Sequence, residues 1–80
     1  MTHDEIRKTV LTSLEEVAPD ADTSTLRAEE DLREALDIDS MDFLNFISAI
    51  HERLHVDIPE TDYPQLSTLA GCVHYLAQKT

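Results

Sequence analysis

The sequence has 80 residues, the length of one small domain, and a domain of this size is a poor host for a deep catalytic pocket. Its 17 acidic residues against 6 Lys and Arg give a formal charge of −11, which argues against nucleic acid and anionic lipid as partners. Proteins with basic patches are favoured instead, although the acidity could also serve solubility alone.

The first predicted helix covers residues 3–18, where apolar residues recur at steps of four, four and three. These residues are Ile6, Val10, Leu14 and Val17. Pro19 ends the helix because proline cannot continue its hydrogen-bond ladder. Residues 19–39 then form a long polar connection, in which isolated apolar residues and a helical turn within 28–35 are expected to fasten the chain to a core. A connection of this length in a small domain is often functional.

The second long helix is predicted over residues 40–54, with Ile47, Ile50 and Leu54 facing inward. Phe43 or Phe46 joins this stripe, depending on how the helix is rotated. A break at Pro59 and one short turn within 60–65 follow. Ser67 or Thr68 is the expected N-cap of a last helix that ends near Gln78. Strand-like alternation is absent, so we predict an all-α fold, a small bundle of three principal helices plus one short helix, in a single domain of residues 1–80.

The segment whose residues could carry a chemical function is the start of the second long helix, Asp39-Ser40-Met41-Asp42. One interpretation is structural: Asp39 or Ser40 caps the helix and Asp42 complements its dipole. The other is functional, because the free N–H groups of a helix N-terminus suit a phosphate esterified on Ser40. Spacing and periodicity do not decide between the two.

The chain resembles the acyl carrier protein family over nearly its whole length. Asp39-Ser40-Met41 is similar to the family's Asp-Ser-Leu motif, and Val56-Asp57-Ile58-Pro59 resembles the exit from the helix that follows it. Leu66-Ser67-Thr68-Leu69 and Val73-His74-Tyr75-Leu76 match the last helix. The resemblance implies a carrier without catalytic activity, whose Ser40 is esterified by 4′-phosphopantetheine and whose acyl groups travel as thioesters.

The same resemblance implies a set of partners. A phosphopantetheinyl transferase would modify Ser40, with Asp39 either positioning that enzyme or capping the helix. An acyl-loading ligase or acyltransferase and the synthases or acyl-transfer enzymes of fatty-acid, polyketide or specialised lipid synthesis would follow. The chain starts at Met1 and resembles a stand-alone, monomeric carrier. No apolar run approaches the roughly 18–20 residues of a membrane span, no signal peptide is visible, and a single cysteine suits a reducing compartment. We therefore expect a cytoplasmic protein with no membrane insertion.

Three departures from the family pattern suggest a specialised carrier. Asp37 stands where members often have glycine, and Met41 replaces leucine. The exposed side of the second long helix is expected to be only weakly acidic, with Asp42, Asn45, Ser48, His51 and Glu52. Phe43 is expected on or near that side. Partners would then dock through Met41, Phe43 and Leu44 more than through ion pairs, with Asp42 and Ser48 also in contact.

His51-Glu52-Arg53-Leu54-His55 matches the zinc-peptidase pattern H-E-x-x-H. A catalytic zinc needs a third protein ligand and a formed cleft, for which 80 residues leave little material. His55 also falls where related carriers commonly have the glycine that ends this helix, and if the helix ends there the two imidazoles need not share a face. We therefore predict no metal site here.

The remaining motifs are weaker. A calcium loop starting at Asp37 would place Met41 and Asp42 where an oxygen ligand and glycine are needed. No nucleophilic triad is convincing, and Cys72 fits a helix interior as a packing residue. Two alternatives to an acyl carrier stay open: an aminoacyl, peptidyl or D-alanyl carrier, and an unmodified acidic helical adaptor. Peptide carriers more often have Gly-Gly-His before the serine, so Asp39 favours acyl cargo.

Overall fold

Three long helices form the framework of the chain, all 80 residues of which are described by a computed structural model. They are α1 (His3–Val17), α3 (Ser40–Leu54) and α4 (Leu69–Lys79). A short α2 (Leu32–Ala35) and two 3₁₀ helices (Thr23–Thr25 and Glu60–Leu66) lie in the connections. The predicted all-α fold is confirmed, with α2 as the helical turn expected within residues 28–35. The 3₁₀ turn at Thr23–Thr25 was not predicted, because its apolar content is nil.

Each long helix begins at a side chain that caps it. Thr2 forms a reciprocal capping box with Glu5 at the start of α1. Asp39 caps α3, and Thr68, rather than Ser67, caps α4 by accepting a hydrogen bond from the Gly71 amide at 2.9 Å. These caps fix where the helices start and therefore which residues are free at their first positions.

The core is a continuous cluster of apolar side chains from the four α-helices, the second 3₁₀ helix and the connections, with α1 packed against both α3 and α4. Phe43 and Phe46 of α3 both belong to this core, whereas the sequence had predicted that only one of them would face inward. The expectation that Phe43 lies on the exposed side of α3 is wrong. The rotation of the helix turns its ring toward the second 3₁₀ helix, where it meets Tyr63 edge to face with ring centroids 6.3 Å apart. No helix has the length and apolar composition needed to cross a membrane.

Two residues other than glycine adopt the left-handed conformation, and each ends a helix. His55 is the C-cap of α3, with φ 55° and ψ 39°, as its position in the sequence predicted. Asp37 (φ 53°) follows α2, and the next amide, that of Ile38, bonds back to the Arg33 carbonyl at 3.1 Å. This is the six-to-one bond of a Schellman motif. Aspartate tolerates the left-handed conformation better than most residues. Asp37 can therefore end α2 at the position where the resemblance led us to expect glycine.

Replacing His55 with glycine should raise the free energy of unfolding by about 0.5–1 kcal/mol, because glycine adopts φ > 0 without the steric cost of a Cβ atom. Urea unfolding followed by circular dichroism measures the change. Glu52→Gly, at an exposed right-handed position of the same helix, is the control and should cost about 1 kcal/mol. If His55→Gly destabilises the protein as Glu52→Gly does, the left-handed backbone at His55 is not strained.

Two titratable groups lie in the core and have structural roles. Burial raises the pKa of the Cys72 thiol to about 12, and its Sγ donates a hydrogen bond to the Leu66 carbonyl. Burial, together with a 2.7 Å hydrogen bond to the Asp62 carboxylate, raises the pKa of Tyr75 to about 12. The thiol is therefore no nucleophile at neutral pH, in agreement with its predicted packing role, and the tyrosine fastens the second 3₁₀ helix to α4.

Candidate functional site

Ser40 is the first residue of α3 and is exposed to solvent. The cap is supplied by its neighbour: the Asp39 carboxylate accepts a hydrogen bond from the Asp42 amide at 2.9 Å. The two interpretations of the sequence thus fall on two different residues. Asp39 satisfies the helix end, and the Ser40 hydroxyl is left for other chemistry.

The chain that leads to Ser40 is held at fixed points. Leu36 and Ile38 are buried on either side of the left-handed turn at Asp37. The Leu32 amide bonds to the Ser67 carbonyl at 2.8 Å, which ties α2 to the segment before α4. The serine is therefore presented at a defined position, although its side chain is in solvent.

A groove of about 420 Å³ opens beside Ser40, between α3 and the second 3₁₀ helix. Its lining includes Arg33, Ser40, Phe43, Leu44, Glu60 and Tyr63. A second groove, of about 430 Å³, lies further along α3 and is lined by residues that include Ser48, His51, Ile58 and Tyr63. Because Tyr63 lines both, the two grooves follow one another along the same side of α3 from its first residue to its last turn.

The predicted partner-contact residues divide among four places. Leu44 (44% exposed) and the buried Phe43 share the groove with Ser40, and Ser48 lies in the next groove. Met41 stands free at 66% exposure. Asp42 is on another side of the helix, where it lines a depression with Asp37 and residues at the end of α1. The structure thus brings Leu44 and Ser40 together and separates Asp42 from them.

Arg33 and Tyr63 were not recognised from the sequence as site residues. Both lie in segments that the periodicity assigns to connections, and only the fold places α2 and the second 3₁₀ helix beside the start of α3. An aromatic residue between Pro59 and Pro64, in an otherwise polar turn, was the available signal for Tyr63.

The H-E-x-x-H residues do not form a zinc centre. His55 leaves the helix in the left-handed conformation, and the His51 Nδ1 atom lies 2.9 Å from the Val56 carbonyl oxygen. No group of three or more His, Cys, Asp or Glu side chains is arranged to hold a metal ion. The ring of His51 instead helps to close the turn that follows α3.

The residues around Ser40 fit a phosphate ester on its hydroxyl. The oxygen is exposed, so an enzyme can reach it, and the Ser40 and Met41 amides are among the N–H groups that have no partner within the helix. The positive end of the helix dipole also favours an anion at this point. A chain attached here has an open groove beside it, with apolar wall residues on α3 and on the second 3₁₀ helix.

Comparison with known proteins shows which family the chain belongs to. Residues 8–76 match the model of the family described as phosphopantetheine attachment site. The acyl carrier protein of Campylobacter fetus subsp. fetus (strain 82-40) is 32% identical over 73 residues, which cover 91% of this chain and 88% of that protein. The acyl carrier protein of Acidothermus cellulolyticus is 29% identical over 77 residues, which cover 92% of this chain and 92% of that protein. The chain therefore belongs to the acyl carrier protein family: it is a carrier and not an enzyme, and 4′-phosphopantetheine is its covalent cofactor.

Proposed function

We propose that Ser40 is the residue to which 4′-phosphopantetheine is attached, and that residues 1–80 act as one carrier domain. The observation that carries the proposal is the division of roles at the start of α3, where Asp39 caps the helix and Ser40 keeps an exposed hydroxyl beside a groove. The prosthetic group supplies a thiol that holds an acyl group as a thioester. The chain's own residues position that arm and present it to enzymes.

The proposed partners are of three kinds. A phosphopantetheinyl transferase modifies Ser40, a ligase or acyltransferase loads the thiol, and synthases or acyl-transfer enzymes of fatty-acid, polyketide or specialised lipid synthesis use the product. A tethered acyl group reaches each active site at a high effective concentration, so delivery needs no diffusion of free substrate. A cytoplasmic monomer suits this role.

The proposal is tested by incubating the unmodified protein with coenzyme A and a promiscuous phosphopantetheinyl transferase. Intact-mass measurement should find one phosphopantetheine adduct per chain, and peptide mapping should place it on Ser40. Ser24→Ala, which removes an exposed serine far from α3 in the chain, is the control and should be modified fully. A wild-type chain that takes no adduct would favour the unmodified adaptor instead. Loading trials with acyl and aminoacyl donors then separate an acyl from an aminoacyl carrier.

We further propose that partners dock on the apolar side chains of the first turns of α3. Met41 and Leu44 are large hydrophobic residues left exposed there, and Leu44 shares its groove with Ser40. Exposed apolar side chains close to a functional residue are typical of an interaction surface. Phe43 is buried and forms part of the wall of this groove, so it is not an exposed contact residue.

Leu44→Ala should lower kcat/KM of the transferase about tenfold, which corresponds to the loss of about 1.4 kcal/mol of contact energy. Asp42→Asn should change it by no more than about threefold, because a rim charge contributes little. Steady-state kinetics on folded variants measures both. Equal losses from the two substitutions would argue for docking by charge.

A further inference from the structure

The surroundings of Ser40 are strongly acidic. Between residues 28 and 42 the chain has seven carboxylates and a single Lys or Arg, which is Arg33. A phosphodiester on Ser40 would add another negative charge to this segment. Like charges repel one another, and a cation placed between them offsets this repulsion.

Arg33 is placed where it can serve as that cation. It lies in α2, and its side chain lines the groove that opens on Ser40. Its backbone is held at both ends: the amide donates to the Asp31 carboxylate at 3.0 Å, and the carbonyl accepts from the Ile38 amide at 3.1 Å. The base of the side chain is therefore fixed while the guanidinium is in solvent.

Two of the other arginines, one in the first connection and one in the last turn of α3, are already engaged in ion pairs. Arg27 pairs with Glu30 at 3.1 Å, and Arg53 pairs with Glu16. Arg33 forms no ion pair, although Asp31 and Glu60 line the same groove. Of the six Lys and Arg residues, it alone lines the groove at Ser40.

We propose that Arg33 binds the phosphate of the prosthetic group, as a positioning residue for the arm on Ser40. This inference rests on the proposed attachment at Ser40. A guanidinium presents several N–H donors and stays charged at all physiological pH values, and it suits the two free oxygens of a phosphodiester. Because the phosphate is covalently held nearby, the pair forms at a high effective concentration. Arg33 also lines a neighbouring depression with Glu34 and Asp37, so it lies between those carboxylates and the groove at Ser40. The contact directs the start of the arm toward the groove and away from Asp42, which lines a separate depression.

The test compares the unmodified and modified forms of the wild type, Arg33→Gln, Arg33→Lys and the matched control Arg27→Gln. The ³¹P NMR signal of the phosphodiester should shift in Arg33→Gln and stay in place in Arg27→Gln. The second measurement is the ratio of the folding equilibrium constant of the modified form to that of the unmodified form. This ratio should be about two- to fivefold lower in Arg33→Gln than in the wild type, which is the range of an exposed ion pair. Arg33→Lys should recover part of both effects, because it keeps the charge and loses the planar fork.

Salt gives a further criterion. The difference between wild type and Arg33→Gln should vanish at about 1 M salt, where the Debye length is about 3 Å. If the adduct forms on Ser40 but the ³¹P signal and the stability difference are the same in wild type and Arg33→Gln, the role of Arg33 is wrong and the attachment site stands. If intact mass finds no adduct on Ser40 of the wild type, the attachment proposal fails and this inference fails with it.

Discussion

Replacing Ser40 with alanine should abolish modification by a phosphopantetheinyl transferase while leaving the fold intact. The serine is exposed at the first position of α3, where alanine is a good helix former, and the cap is supplied by Asp39. The free energy of unfolding should therefore change by no more than about 0.5 kcal/mol. Intact mass measures the modification, and urea unfolding measures the stability.

Asp39→Ala gives the matched contrast in stability. Removing the carboxylate that accepts the Asp42 amide should lower the free energy of unfolding by about 0.5–2 kcal/mol, as for other N-caps. Asp39→Asn, which can still cap, should recover most of that loss. An adduct that survives Ser40→Ala would place the attachment elsewhere, and a stability loss in Ser40→Ala equal to that in Asp39→Ala would mean that the serine shares the capping role.

Gly71→Ala should destabilise the protein, although glycine-to-alanine substitutions inside helices usually stabilise by about 1 kcal/mol. A Cβ atom at Gly71 would lie 2.4 Å from the backbone carbonyl oxygen of Gln65 and 3.0 Å from the Thr68 hydroxyl that caps α4. Neither the 3₁₀ helix that ends at Leu66 nor the cap can move away without loss of its own contacts. We expect a loss of about 1–3 kcal/mol, the usual cost of overpacking.

The control for Gly71→Ala is Ala70→Gly, at the preceding, exposed position of α4. It removes a methyl group without a clash and should cost no more than about 1 kcal/mol. Thermal and urea unfolding of both variants measure the sign and size of the change. A more stable Gly71→Ala would mean that the second 3₁₀ helix is not packed as closely against α4 as the structure has it.

The helices were predictable because their apolar residues repeat with the helical period and their ends have local signals. The steps from Ile6 to Val17 predict α1, and Pro19 and Thr68 mark boundaries that the structure keeps within a residue or two. The left-handed residue at His55 was expected from the resemblance, which places it where related carriers commonly have the glycine that ends this helix. These features depend on neighbours in the chain.

The choice at Ser40 was of a different kind. Asp39 and Ser40 are both good cap residues, and local propensity is equal for them to within a few tenths of a kcal/mol. The geometry of the turn from Asp37 to Asp39, anchored by the buried Ile38, decides which side chain reaches the Asp42 amide. The rotation of α3 likewise decided that Phe43 is buried, because the second 3₁₀ helix supplies a partner ring in Tyr63.

Charge and periodicity were thus enough to predict an acidic, all-α domain, and the order of its motifs carries the resemblance to a carrier with a serine at the start of the second long helix. These are properties of residues read in chain order. What surrounds that serine depends instead on how the helices pack. Arg33, Leu44 and Tyr63 come from three elements and meet at one groove. Their proximity results from the packing of α2, α3 and the second 3₁₀ helix around a shared core, and contacts between residues distant in the chain leave no local pattern to read.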